Sequence, residues 1–334
     1  MTEKTKTKDK TARTLEERGF PIIDVHGHHG NLKSLADGSP GMLPPIKKQQ
    51  IALERYFRKH ELTEEELLAT LPTEDEMVEL FRKYGVHACP VAWTAPVAQG
   101  DWGQSNDYIY DLTKRHPDVF LGYWACVDPW LGKLALEEAE RVLRDHKAIG
   151  IKFQQPSQAF HLSDKRFYPL WDLIASYGGF IQWHGGYTGV GTGMPGGGGI
   201  KILEYTNPLD VDNVAADFPN LNIFLMHVSD PYTEAAQLVC MHKGNVYRET
   251  SGVLPRYIPP MMANHINTRL KNKTMFGSEY PYFRLVEDIL HDWENKFEFR
   301  EGIEELLMYK NALNVLGERF QNAGADLSPW KGLV

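Results

Sequence analysis

The feature that most restricts what this chain can fold into is a regular alternation of short apolar runs with amphipathic stretches, beginning at Pro21. The runs cover residues 22–26, 87–93, 119–127, 148–153, 179–184, 221–227, 245–249 and 274–277. Most are apolar throughout, the pattern of parallel strands covered on both faces. The run at 245–249 (NVYRE) is polar and completes the series. Between the runs the spacing is helical. Thr73-Glu74-Asp75-Glu76 reads as a capping box ahead of Met77, Leu80 and Phe81, and Gly85 stops that helix. Residues 134–146, 168–177, 211–218, 233–242 and 285–297 behave in the same way. Such a series predicts a closed (β/α)8 barrel or a large doubly wound sheet.

The length of 334 residues suits one barrel, which takes about 250. Residues 20–334 therefore read as a single domain, with an insertion at 30–71 after the first strand and terminal helices over 302–334. Residues 1–19 are polar, lack the apolar stretch of a secretory signal, and read as a solvated extension. The net charge of -8 leaves no basic stripe for nucleic acid. No run approaches the roughly 18 apolar residues of a membrane span. Cys89, Cys126 and Cys240 are scattered and odd in number, as expected of reduced, buried thiols in the cytoplasm.

The chemistry gathers at strand ends. His26 and His28, in DVHGHHG, lie two apart at the end of the first run, so an extended backbone aims both imidazoles to one side. His29 points the other way and is expected to be structural. Two further apolar runs close on His184 (FIQWH) and His227 (IFLMH), and the last leads into Glu279 (MFGSEYP). A barrel collects the C-terminal ends of all its strands at one face, where these groups would converge. Imidazoles with a carboxylate suit zinc, with manganese or iron as alternatives.

Taken together, IDVHGHHG, AIGIKF, FIQWH, FPNLNIFLMHVS, GNVYRETSG, MFGSEYP and KNALNVLG resemble the amidohydrolase superfamily, in the branch of aminocarboxymuconate semialdehyde decarboxylase, over residues 20–317. The resemblance implies one divalent metal per chain, held by His26, His28, His184 and the acidic residue after the eighth strand. It also implies that His227, the sixth-strand histidine, serves as acid/base or polarises the substrate instead of binding the metal. The family has aspartate where this chain has Glu279, which reaches about one methylene further; it either ligates the metal or acts as a free base. Lys152 falls where binuclear members carry a bridging carbamylated lysine, and reads here as an ammonium that orients an anionic substrate. The family also suggests a homodimer.

Arg248, a candidate fork for a substrate carboxylate, and Trp183, Tyr187 and Tyr280, a candidate aromatic wall, complete the expected site. The glycine-rich stretch 185–199 reads as a lid or a place of close backbone approach. The leading expectation is a hydrolase acting on a small carboxylated lactone, ester or amide through an activated water. The alternative is a non-oxidative decarboxylase of an unsaturated or aromatic acid, and a third reading is a barrel that only binds a ligand.

Overall fold

The computed structural model describes residues 12–29, 63, 66, 72–100, 103–281 and 286–333. Among them the strands β1 (Ile22–Gly27), β2 (Val86–Pro90), β3 (Trp124–Cys126), β4 (Gly150–Phe153), β5 (Phe180–Trp183), β6 (Asn222–Leu225), β7 (Val246–Glu249) and β8 (Thr274–Met275) follow in chain order. β3 to β8 form one parallel sheet in sequence order, and β1 and β2 pair in parallel. Parallel bridges from Ala88 to Phe120 and from Val91 to Trp124 join β2 to the chain around β3. On the other side, the Val25 N–H donates to Phe276 O at 3.0 Å, and the N–H groups of Ser278 and Glu279 donate to His26 O at 3.2 and 3.0 Å. These bonds close the ring, so the fold is the (β/α)8 barrel and not the open sheet.

The outer layer carries α1 (Leu15–Arg18), α2 (Glu74–Tyr84), α3 (Asn106–Arg115), α4 (Lys133–Arg144), α5 (Tyr168–Ser176), α6 (Leu209–Asp217), α7 (Thr233–His242), α8 (Pro260–Ile266), α9 (Val286–Lys296) and α10 (Asn311–Asn322). The capping box at Thr73 is present, and Gly85 ends α2 in the left-handed conformation. α3 and α8 were not expected from the sequence. The signal for α3 lay in Ser105, whose hydroxyl accepts the Tyr108 N–H, ahead of the buried Ile109 and Leu112. Residues 12–19, assigned above to a solvated extension, instead form a capped turn that docks on the barrel. The buried Arg18 donates to the carbonyl oxygens of Phe20 and Arg13 at 2.9 and 3.1 Å. The insertion at 30–71 lies outside the described residues apart from Thr63 and Glu66.

Strand register sorts side chains into two faces. Lys152, Gln182, Phe224 and Tyr247 share one row across β4 to β7. Gln182 Nε2 and Trp124 Nε1 both donate to Val25 O, at 3.0 and 2.9 Å, and Trp124 packs edge-on against Phe224. This row faces the barrel interior, which is filled rather than open. Phe153, Trp183, Leu225 and Arg248 form the next row. Phe153 meets Phe160 and Trp171 of the helix layer, so this row faces outward. No helix among the described residues is long and apolar enough to cross a membrane.

Two histidines, the buried His29 and the partly buried His87, make the fold sensitive to acid. His87 packs against Trp330, and burial pulls its pKa to about 4. His29 packs against Phe81 and Phe120, and burial pulls its pKa to about 3. In the unfolded chain both titrate near 6.5. Between these values the unfolded state binds more protons, so the stability is fully present above the unfolded pKa and is lost as pH falls toward the folded one. His87→Gln is expected to remove about 2 kcal/mol of the loss between pH 6.5 and 5, read as the urea midpoint at the two pH values. An unchanged pH slope would mean that His87 protonates equally well in both states.

Candidate metal centre

The site forms where β1, β5, β6, β7 and β8 end. Asp24, on β1, anchors it from below: Oδ1 accepts the N–H groups of His26 and Ser278, both at 3.0 Å, and Oδ2 accepts the Ser278 hydroxyl at 2.5 Å. One carboxylate thus ties the histidine strand to the loop carrying Glu279. His227, after β6, and Glu279, after β8, both adopt left-handed backbone, with φ of 63° and 60°. For an L-residue with a side chain this costs roughly 1–2 kcal/mol, and such residues persist only where their surroundings over-determine them.

Two overlapping groups of ligand atoms result, each within 4.8 Å: His26, His28 and Glu279, and His26, His227 and Glu249. His26 Nε2 lies 3.4 Å from Glu279 Oε2, and His28 Nε2 lies 3.2 Å from Glu279 Oε1. His26 Nδ1 lies 3.3 Å from Glu249 Oε1. Ser251 Oγ sits among them, 2.8 Å from His227 Nδ1, 2.8 Å from Glu249 Oε1, 3.1 Å from Glu279 Oε2 and 3.2 Å from His26 Nδ1.

Proton bookkeeping tests whether these residues fit a cation. Burial pulls the pKa values of His26, His184 and His227 down, His227 to about 4, so the rings are neutral. His184 Nε2–H donates to Tyr187 O at 3.1 Å, because a carbonyl can only accept. His184 Nδ1 is then an acceptor, and His227 Nε2–H donates to it at 3.0 Å. His227 Nδ1 in turn accepts the only Ser251 hydroxyl proton. Burial alone would raise the pKa of Glu249, but bonds from the His26 ring and the His227 N–H bring it down to about 2. Burial also opposes ionisation of Glu279, and charge on the His26 and His227 rings would hold it well below the carboxylate range; while those two rings are neutral, the bond with His28 Nε2 at 3.2 Å favours the ionised form. With His26 Nδ1–H on Glu249, the fully buried His26 Nε2 has no hydrogen-bond partner and faces the Glu279 carboxylate lone pair to lone pair. Two ionised carboxylates, the bare Nε2 of His26 and the neighbouring His28 Nε2 converging in a buried pocket form a donor set that fits a divalent metal.

The remaining expected residues divide by strand face. His184 pairs with His227 and Tyr187 and is not in either ligand group. Lys152 faces the interior, is 1% exposed, and its Nζ has no hydrogen-bond partner. Burial lowers its pKa to about 8, while Glu279 and Glu249 oppose the shift. Arg248 and Trp183 lie in the outward row, so neither faces the site; the parity that places Glu249 and His184 inward requires this. Tyr280 packs behind the site against Phe81 and His29. Tyr187 enters through its carbonyl, with a half-exposed ring. His29 is structural, as expected. The glycine-rich stretch makes close approaches to the β6 loop: a Cβ on Gly185 would lie 2.4 Å from Ser229 Oγ, and one on Gly186 2.3 Å from Asp230 O.

Glu249 and Ser251 were not anticipated. The signal was the polar end of the seventh run, ETS, where ligand-type residues sit as they do at the other strand ends. Gly277 makes room for Glu249, since a Cβ there would lie 2.3 Å from Glu249 Oε2. That carboxylate is held by three donors, the His26 Nδ1–H and the N–H groups of His227 and Ser251, and cannot swing away. Gly277→Ala is therefore expected to lower stability by about 2 kcal/mol and to weaken metal binding, seen by thermal denaturation with and without added metal. A variant as stable as the parent would show that Glu249 is free to move.

The family model described as amidohydrolase matches residues 23–317. No curated protein matches the chain in sequence. Among solved structures, an uncharacterised barrel protein of Bordetella bronchiseptica is 21% identical, with a TM-score of 0.70 over 90% of this chain and 99% of its own. The 5-carboxyvanillate decarboxylase of Sphingomonas paucimobilis is 15% identical, with a TM-score of 0.63 over 89% of this chain and 99% of its own. A dihydroxybenzoic acid decarboxylase of Polaromonas sp. JS666, with bound manganese and the inhibitor 2-nitroresorcinol, is 14% identical, with a TM-score of 0.62 over 89% of this chain and 97% of its own. These similarities establish the shared barrel. With the family model spanning the barrel from its first strand to its last helix, the chain belongs to the amidohydrolase family.

Proposed function

We propose that this protein is a metal-dependent, non-oxidative decarboxylase of an aromatic or unsaturated carboxylic acid. The observation that carries this reading is the buried, unpartnered ammonium of Lys152 beneath a desolvated cluster of neutral imidazoles. Such a pocket takes an anionic carboxylate out of water, and charge concentrated on that carboxylate spreads as CO2 leaves, which low polarity favours. A carboxylated lactone or ester would answer Lys152 as a carboxylic acid does, so the hydrolytic reading ranks second on the chemistry of the neighbours that share the fold. The decarboxylases that share the fold support the same choice.

In this reading His26, His28 and Glu279 hold the metal, with His184 beside them, and manganese or zinc fits the mixed set. The bound metal supplies Lewis acidity that polarises a substrate oxygen. Lys152 binds and orients the carboxylate. His227, with its proton on Nε2 toward His184 and Nδ1 against Ser251, relays to carbon the solvent-derived proton that replaces CO2, so that the ring is neutral before and after. The balance is R–COO⁻ plus H⁺ giving R–H plus CO2. The test is product analysis on metal-loaded protein given hydroxylated benzoates, unsaturated diacids, lactones and esters. Release of labelled CO2 from a carboxylic acid is the expected result; turnover confined to lactones or esters, with the carboxyl carbon retained, would contradict it.

A further inference from the structure

The neighbours Arg248 and Glu249 on β7 point to opposite faces of the barrel, yet both reach the backbone of the same residue, His227, one at each of its two peptide groups. Arg248 Nη2 donates to His227 O at 3.0 Å from the outer face. Glu249 Oε1 accepts the His227 N–H at 2.8 Å from the inner face. His227 lies beyond β6, which ends at Leu225, so these two side chains meet backbone groups that the sheet leaves open. The residue they hold is left-handed, with φ of 63°. Arg248 is fully buried, its Nε and Nη1 have no partner, and the His227 carbonyl is the one acceptor it meets among the described residues. Burying a guanidinium for one bond is costly, which makes the bond's recipient the point of the arrangement.

We propose that Arg248 and Glu249 are positioning residues that clamp the two peptide groups flanking His227, one from each face, and thereby fix its imidazole for proton transfer. Ser251 and Gly252, next along the same segment, complete the seat: Ser251 donates to Nδ1, and a Cβ on Gly252 would lie 2.9 Å from that nitrogen. One strand thus sets the backbone, the tautomer and the clearance of a histidine on its neighbour. The clamp rests on the reading of His227 as the proton-transfer group.

The test compares Arg248→Met, which removes the donor, with Arg248→Lys, which keeps one, in metal-loaded protein. Arg248→Met is expected to lower kcat by about 10²-fold with KM and metal content unchanged, and Arg248→Lys to recover part of the loss. A folded, metal-loaded Arg248→Met enzyme with the parent's kcat would overturn the clamp. Should Arg248→Met not fold, hydrogen exchange of the His227 amide in the unaltered protein decides: the clamp predicts protection like that of the core strands, and exchange as fast as in exposed loops overturns it. Full turnover by His227→Asn would instead remove the proton-transfer reading; a protected amide would then leave only a feature of the fold, against the positioning role.

Discussion

His227→Asn is expected to reduce turnover by about 10²–10⁴-fold, the range for loss of a positioned acid or base, while metal content stays at the parent's level. Asparagine is chosen because it tolerates left-handed backbone, so the substitution leaves the strained turn after β6 satisfied. It removes the link between Ser251 and His184, across which His227 sits at 2.8 and 3.0 Å. The His26, His28 and Glu279 group does not include His227, so metal retention is the internal control. Metal lost along with activity would place His227 among the ligands; activity retained would move the proton-transfer role elsewhere, with Lys152 the next candidate.

Glu279→Gly is expected to weaken metal binding by more than about 10²-fold, since loss of a group that merely supports a ligand already costs 10–100-fold. Turnover should fall with it. Glycine is the informative replacement because Glu279 sits at φ 60°, a conformation glycine adopts freely. The metal-free variant should therefore melt no lower than the metal-free parent. Chelator competition gives the affinity and thermal denaturation gives the control. A variant that binds metal as tightly as the parent but does not turn over would make Glu279 the free base that its longer side chain also permits.

Much of this architecture could be read before the structure because barrels repeat one unit and put their chemistry at one kind of place. Apolar runs ending in histidine located His26, His184 and His227, and the closed ring brought them together. The same logic, carried through to strand parity, would have turned Trp183 and Arg248 outward, because each precedes a residue that must face in. Glu249 escaped notice because its strand is polar and its partner His26 lies far away in sequence; only closure of the barrel puts them 3.3 Å apart. Nor is the left-handed backbone of His227 and Glu279 legible in sequence, since neither residue type announces it. The docked turn at residues 12–19 looked like a solvated tail because its charges hide the buried Arg18, whose bonds all go to backbone carbonyl oxygens, that of Tyr84 at the end of α2 among them.

One titration shows whether decarboxylation depends on the metal. Protein stripped of metal by chelation is given increasing manganese or zinc, and release of labelled CO2 from a carboxyl-labelled hydroxybenzoate or unsaturated acid that the parent enzyme turns over is followed at each step. Release is expected to be absent without metal and to rise to a plateau at a stoichiometric equivalent per chain. Release that is unaffected by stripping, or metal that does not bind at all, would contradict metal-dependent decarboxylation.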